Sequence, residues 1–161
     1  MSTDRIEKQV VLRATLDRVW RAIGDSGEFG QWFGVRFDGP FVAGNAVTGT
    51  ITPTSVDAEV ARLQEPHAGN RGTWHVVAVE PQRRFAYRWH PFAVDADVED
   101  EPTTLVEFTL AETPEGVLLT IVESGFDALP PSRRSTAFEA NADGWAHQLR
   151  LVRRYLELQR A

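Results

Sequence analysis

From about Pro131 to Ala161 the sequence carries one long helical pattern, behind a body patterned almost throughout for strands. Phe138, Ala142, Trp145, Leu149, Val152 and Leu156 recur at intervals of four and three, which sets them on one face of a helix about 40 Å long at 1.5 Å per residue. An apolar stripe of that length must be buried against an equally wide partner. The only partner the chain offers is a sheet made from the residues before it. A curved sheet gripping one helix tends to leave an apolar hollow between them, and that hollow is where a function is to be sought.

The body reads as follows. IEKQVVLRA (6–14) alternates as a first strand with Ile6, Val10 and Leu12 on one face. Thr15 reads as an N-cap to a short amphipathic helix bearing Leu16, Val19, Trp20 and Ile23 and stopped at Gly24. Asp25 or Ser26 can cap a second short helix, with Glu28 placed to complete a capping box and with Phe29, Trp32 and Phe33 on its apolar side; Gly34 ends it. VRFDGPF (35–41) and AVTGTIT (46–52) read as a hairpin, as do TWHVVAVE (73–80) with RFAYRWH (84–90), and TLVEFTLAE (104–112) with VLLTIVES (117–124). Residues 53–72 could hold a ragged strand, a helical turn or a flexible loop, the strand and helix readings fitting equally well, and the segment is a candidate lid. PFAVDADVEDEPT holds five acids and no base; its Asp95, Asp97, Glu99 spacing lacks the glycine and glutamate of a calcium loop, so it reads as a solvated loop. Helices segregated from antiparallel hairpins mean an α+β fold.

At 161 residues the chain fits one domain, 1–161. No apolar run approaches the roughly 18 to 20 residues that cross a bilayer, and MSTDRIEKQ lacks the order of a signal peptide, so the expectation is a cytoplasmic protein with no membrane insertion. The absence of cysteine excludes disulfides and thiolate chemistry. A net charge of −6, with dispersed arginines, argues against a nucleic-acid partner. Arg150, Arg153 and Arg154 group on the last helix and read as a solvated face. Histidines 67, 75, 90 and 147 show no ligand spacing, so no metal is expected. No phosphate loop or nucleophile elbow is present, and no cofactor is expected.

Several stretches together carry a likeness: the first strand running into ATLDRVWRAI, then FGQWFG, PQRRFAYRW, LTIVESGF, and a last helix opening toward NADGW. In order and spacing the chain resembles, over nearly its whole length, the START-like superfamily (SRPBCC), and within it the group named after the C-terminal domain of the activator of heat-shock protein 90 ATPase. The resemblance implies a helix-grip fold: a bent antiparallel sheet of about six to seven strands around a long C-terminal helix, with two short helices after the first strand. It implies a cavity for lipids, sterols, polyketides or other apolar molecules, and in a few members cyclase or hydroxylase-component activity. In the eukaryotic chaperone activator a separate N-terminal domain accompanies this one. None precedes Asp4 here, which makes a chaperone partner a poorer expectation than a small apolar ligand.

Alternation puts Phe85, Tyr87 and Trp89 on one sheet face, with Val106, Phe108 and Leu110 in a second row and Leu119, Ile121 and Glu123 in a third, all aimed at the helix face of Phe138, Trp145 and Leu149. Arg84, Arg88 and His90 are expected to face water. Three polar residues sit awkwardly for a plain core: Tyr87, Glu123 and Asn141, the last four before Trp145. Buried polar groups need partners, and these three supply anchors that would orient an apolar ligand. The alternative for Glu123 is a strand end reaching solvent or an arginine. The candidate ligand-binding set is Trp32, Phe33, Phe37, Tyr87, Trp89, Phe108, Glu123, Asn141, Trp145 and Leu149, with Glu123 also the one weak catalytic candidate. Gly144, costly inside a helix, suggests a close helix–sheet approach or a gentle kink. Leu151, Tyr155 and Leu158 form a second apolar line that either packs on the first strand and short helices or serves a homodimer. The leading expectation is binding of a small hydrophobic or aromatic molecule without turnover. The alternatives are a cyclase-like or hydrolase-like enzyme using Glu123 and a chaperone-associated interaction module.

Overall fold

The computed structural model describes residues 4–90 and 102–159; most of the acidic segment, 91–101, lies outside them. Strand β1 (Arg5–Leu12) leads into helices α1 (Leu16–Gly24) and α2 (Ser26–Phe33). β2 (Val35–Phe37), β3 (Ala46–Ile51), helix α3 (Ala58–Gln64), β4 (Arg71–Glu80), β5 (Arg84–Trp89), β6 (Thr104–Thr113) and β7 (Gly116–Ser124) follow, and α4 (Pro131–Gln159) closes the chain. The seven strands form one antiparallel sheet in the order β1-β7-β6-β5-β4-β3-β2. β1 and β2 are thus opposite edges, and α1 and α2 carry the chain between them. This is the helix-grip α+β architecture, with α4 lying in the trough of a curved, open sheet.

Local chemistry accounts for the element ends. The Thr15 hydroxyl accepts from the Arg18 N–H at 3.2 Å and the Asp25 carboxylate from that of Glu28 at 3.0 Å. Glu28 does not close a capping box. Its Oε1 instead takes Arg18 Nη1 at 2.8 Å and the Tyr155 hydroxyl at 2.8 Å, which ties α1, α2 and α4 together. α2 stops at Gly34, whose φ of 91° is left-handed. Within residues 53–72 the central part, 58–64, resolves as helix, and only Arg71 and Gly72 are strand, as the start of β4. Asp57 caps α3 by accepting from the N–H groups of Glu59 and Val60, and a 3₁₀ turn, Glu65–His67, follows. The strand alternative fails because its apolar residues, Val56, Val60 and Leu63, fall at helical intervals. Val77 is an extra residue in β4, between the pairs Val76–Tyr87 and Ala78–Ala86. Such a bulge bends the strand and increases its twist, which helps the sheet wrap the helix.

The deep interior is filled. The Phe29 ring lies 4.7–5.9 Å, centroid to centroid, from those of Trp32, Phe33, Phe41, Trp74, Phe85 and Phe108. The hollow expected along the sheet–helix interface is therefore confined to one end. Aromatic rings large enough to bury 150–250 Å² each close the rest. On α4 the second apolar line divides: Leu151 and Tyr155 are buried, while Leu158 is 53% exposed.

Candidate functional site

The site is built around one carboxylate. Along β7, Val117, Leu119 and Ile121 are buried by parity, and Glu123 continues the row with no exposed surface. On β6, Val106 stands opposite Glu123, and Thr104, two residues along on the same face, is paired to Trp89 of β5. Asn141 and Trp145, one turn apart on α4, reach down from above. The Trp89 indole N–H donates to Glu123 Oε2 at 2.7 Å and the Thr104 hydroxyl to the same oxygen at 2.5 Å. Asn141 Nδ2 and the Trp145 indole N–H donate to Oε1, each at 2.8 Å.

A carboxylate offers about four lone-pair sites, and four donors occupy them. The two indoles can only donate, so the set fits the ionised acid, stabilised by neutral dipoles. Glu123 forms no ion pair among the described residues. With two donors on each oxygen, taking a proton from a substrate would require it to release one of the four. Its direct effect is to hold strands β5, β6 and β7 to α4. Beside it the Tyr87 hydroxyl is buried without a hydrogen-bond partner among the described residues. Burial first, and the Glu123 charge second, push its pKa well above that of an ordinary tyrosine, so it stays a neutral phenol.

On the other side of Trp89 and Trp145 a cleft of about 310 Å³ opens between the β2–β4 end of the sheet, α3 and the middle of α4. Its floor is aromatic. Trp74 lies 4.9 Å from Trp89 and 5.4 Å from Phe33, and Trp145 lies 5.8 Å from Trp89 and 5.9 Å from Phe33. Val35, Gly49 and Ile51 form one wall, and Leu63 and Gln64 of α3 another. A side chain at Gly49 would meet Val35 Cγ1 at 2.7 Å, so glycine is needed for β2 to lie across β3. Gly144 also borders the cleft, but a Cβ there would meet nothing within 4 Å. The close approach expected at Gly144 is absent; the position faces open space. Leu63, at the mouth, is 58% exposed.

Amide and guanidinium bonds hold the α3 wall in place. Gln64 Oε1 accepts from the Thr54 N–H at 2.8 Å, and its Nε2 donates to the Phe33 carbonyl at 3.0 Å. Gln148 Nε2 donates to the same carbonyl at 3.2 Å. Arg154 Nε donates to the Val56 carbonyl at 2.8 Å, so this member of the basic group, though exposed, also ties α4 to the segment before α3. Asp57 is held below the ordinary carboxylate value chiefly by the backbone N–H of Val60, with those of Glu59 and the charges of Arg154 and Arg150 adding to it.

Of the residues singled out from sequence, Phe33, Trp89, Asn141 and Trp145 line the cleft, and Glu123 stands directly behind three of them. The others lie elsewhere. Trp32 is fully buried and donates to the Ala22 carbonyl at 2.9 Å. Phe37 packs on Phe41 and Trp74 at 4.9 and 4.8 Å, and Tyr87, Phe108 and Leu149 belong to the core. His90 is not simply in water: one residue past the end of β5, it borders the cleft. Thr104, Gln64 and Gln148 were missed. Thr104 shares parity with Val106 and Phe108, and Gln148 lies three beyond Trp145 on the helix face of Asn141, so both were detectable in pattern. Gln64 carried no such signal. Among the described residues no three histidine or acidic side chains gather as a metal site, and no helix is long and apolar enough to cross a membrane.

Residues 13–157 match the family described as Activator of Hsp90 ATPase homolog 1-like protein. Among solved structures, the chain is similar to DynU16, a protein in the dynemicin biosynthetic locus, with 25% identity, a TM-score of 0.67, and coverage of 96% of this chain and 47% of that one. It thus spans about half of DynU16. MLL2253 from Mesorhizobium loti shares 21% identity with a TM-score of 0.69 over 95% of this chain and 96% of its own. A protein from Arthrobacter aurescens shares 14% identity with a TM-score of 0.73 over 96% and 87%. The last two are likenesses of fold alone. No curated protein matches. With the family matched over almost all of its length and the helix-grip architecture in place, the chain belongs to the Activator of Hsp90 ATPase homolog 1-like family of the START-like superfamily.

Proposed function

We propose that the protein binds a small, largely aromatic molecule in the cleft between the β2–β4 end of the sheet, α3 and α4, without turning it over. The observation that carries this reading is the combination of an aromatic floor with Gly144. A helix-interior glycine costs about 1 kcal/mol relative to alanine, and no packing neighbour demands one here. Stability is forgone at a helix position bordering the cleft, where an added Cβ would meet no neighbour within 4 Å. The volume of about 310 Å³ sits at the lower end of ligand pockets, roughly 300–1,000 Å³, and suits a molecule of two or three fused rings. The exposed Leu63 gains cover when such a molecule is seated. A relative belonging to a biosynthetic locus is consistent with a role in handling a small metabolite.

The test is a thermal-shift and tryptophan-fluorescence screen of aromatic metabolites, with native mass spectrometry of protein taken directly from cells. A ligand present at 100 times its Kd should stabilise the fold by about 2.7 kcal/mol, or roughly 5–10 °C for a chain of this size. Gly144→Phe should leave the thermal midpoint near that of the wild type and abolish the shift. Equal binding by Gly144→Phe, or no binder in a broad aromatic panel, would remove the cleft from consideration.

A further inference from the structure

The charge on Glu123 is held but not cancelled. Its four donors are neutral, it has no exposed surface, and it forms no ion pair among the described residues. Hydrogen-bond dipoles stabilise an anion without removing its net charge, and inside a protein that charge is screened far less than in water. Burial, and after it this same charge, raise the Tyr87 phenol well above its ordinary value. Three of the four donors, Trp89, Asn141 and Trp145, also line the cleft, which puts the carboxylate about one indole's breadth behind the cleft surface. The lining offers nothing to balance it. No lysine is among the described lining residues, and Arg71, opposite Thr50 in the β3–β4 ladder, has the parity opposite to Gly72 and Trp74, so its side chain leaves from the other face of the sheet.

We propose that the ligand is an aromatic amine bound as its ammonium ion, the positive charge lying against the indoles that Glu123 backs; this rests on the cleft reading above. Of the four floor rings, Phe33, Trp74 and Trp145 are buried and Trp89 is only partly so, which makes Trp89 the ring a cation can reach. Its indole N–H is given to a carboxylate, and this leaves the ring richer in electrons and its face more attractive to a cation. The spare hydrogen-bonding capacity has the same sense. Gln148 Oε1 is buried without a partner, while its Nε2 and both ends of Gln64 are engaged. An ammonium group only donates, so it can supply what that oxygen lacks; a carboxylate cannot.

The test compares tryptamine, tryptophol and indole-3-acetate, which carry a positive, a neutral and a negative group on the same ring, titrated calorimetrically against the full chain. The titrations are run at about pH 8, above the range in which an imidazole is ordinarily charged, because His67 and His90 border the cleft. Tryptamine should bind about tenfold more tightly than tryptophol, within the range for a cation on a partly desolvated indole, and indole-3-acetate more weakly than either. Because Glu123 is buried, the preference should persist at about 0.3 M salt. In Glu123→Gln the tryptamine-to-tryptophol ratio should fall below about threefold, with tryptophol binding as the sign that the cleft is still formed. Equal affinities for tryptamine and tryptophol in the wild type, or a preference for indole-3-acetate, would overturn the cationic-ligand inference while leaving the cleft reading intact. Binding of none of the three would remove both. A preference lost at about 0.3 M salt, or retained in Glu123→Gln, would overturn the assignment to the Glu123 charge, and the salt series alone decides if the variant no longer binds tryptophol.

Discussion

Replacing Glu123 by glutamine changes one atom and should be costly. The carboxylate accepts two donors on each oxygen, and a glutamine has one oxygen and one NH₂ group. Thr104 can turn its hydroxyl round to accept from the new amide, and Asn141 can present its own oxygen. The indoles of Trp89 and Trp145 cannot reverse, and they sit on different oxygens of Glu123. Either orientation of the amide therefore strands one indole N–H against an NH₂ group. An orphaned buried donor costs about 1–3 kcal/mol, and the bonds that remain lose about 1 kcal/mol each when charge assistance is removed. Relief from burying the charge offsets part of this, leaving a net loss of about 2–4 kcal/mol. For a chain of this length that is a fall in thermal midpoint of roughly 4–16 °C. Calorimetry with near-UV circular dichroism reads both the fall and the loosened tryptophans. A Glu123→Gln protein within about 1 °C of the wild type would refute the idea that this carboxylate fastens the helix to the sheet.

Gly144→Ala should raise stability by about 1 kcal/mol, or about 2–4 °C, since its methyl group meets no neighbour within 4 Å; a loss measured by thermal unfolding would mean that the glycine has a packing role after all. Asp57 gives a pH dependence confined to α3. Its pKa is lower folded than unfolded, so its contribution is present above the unfolded value and disappears as pH falls through the folded one. Amide-exchange protection factors at Glu59 and Val60 should therefore drop on acidification below the ordinary carboxylate range before those of β6 and β7 do, and a simultaneous drop would argue against a local cap.

Much of the architecture was legible because two periods dominate the chain. Period two placed Phe85, Tyr87 and Glu123 on the inner face, and the period of the helix placed Trp145 over them. Those rules depend only on bond geometry, so they survive into the folded state. α3 was harder to read: seven residues with only two large apolar side chains, Val60 and Leu63, satisfy several templates, and what fixes it as a helix is Asp57 at its start and Gln64 docking on the end of α2. The cleft was harder still. Phe108 and Trp89 have equivalent strand parity, yet one is core and the other lines open space, because ring packing around Phe29 consumes the interior at one end only. Such a difference arises from distances between elements that are remote in sequence, about which a local pattern is silent. Gly144 shows the same limit in reverse: its oddity was visible, but whether it meant a tight fit or an opening depended on what lay across from it.

The pair of bonds from Asn141 and Trp145 to one oxygen has a further mechanical result. A smooth greasy rod 29 residues long, lying in a smooth greasy groove, could slide or roll at little cost. Two polar teeth a single turn apart, caught on one fixed anion, set both its axial register and its azimuth. Since position 144 lies between the teeth, the same latch decides which way the missing side chain points. Rolling the rod by one residue, about 100°, would swing that notch away and turn a neighbouring side chain into the opening. The aperture is thus indexed by a group that never touches its contents.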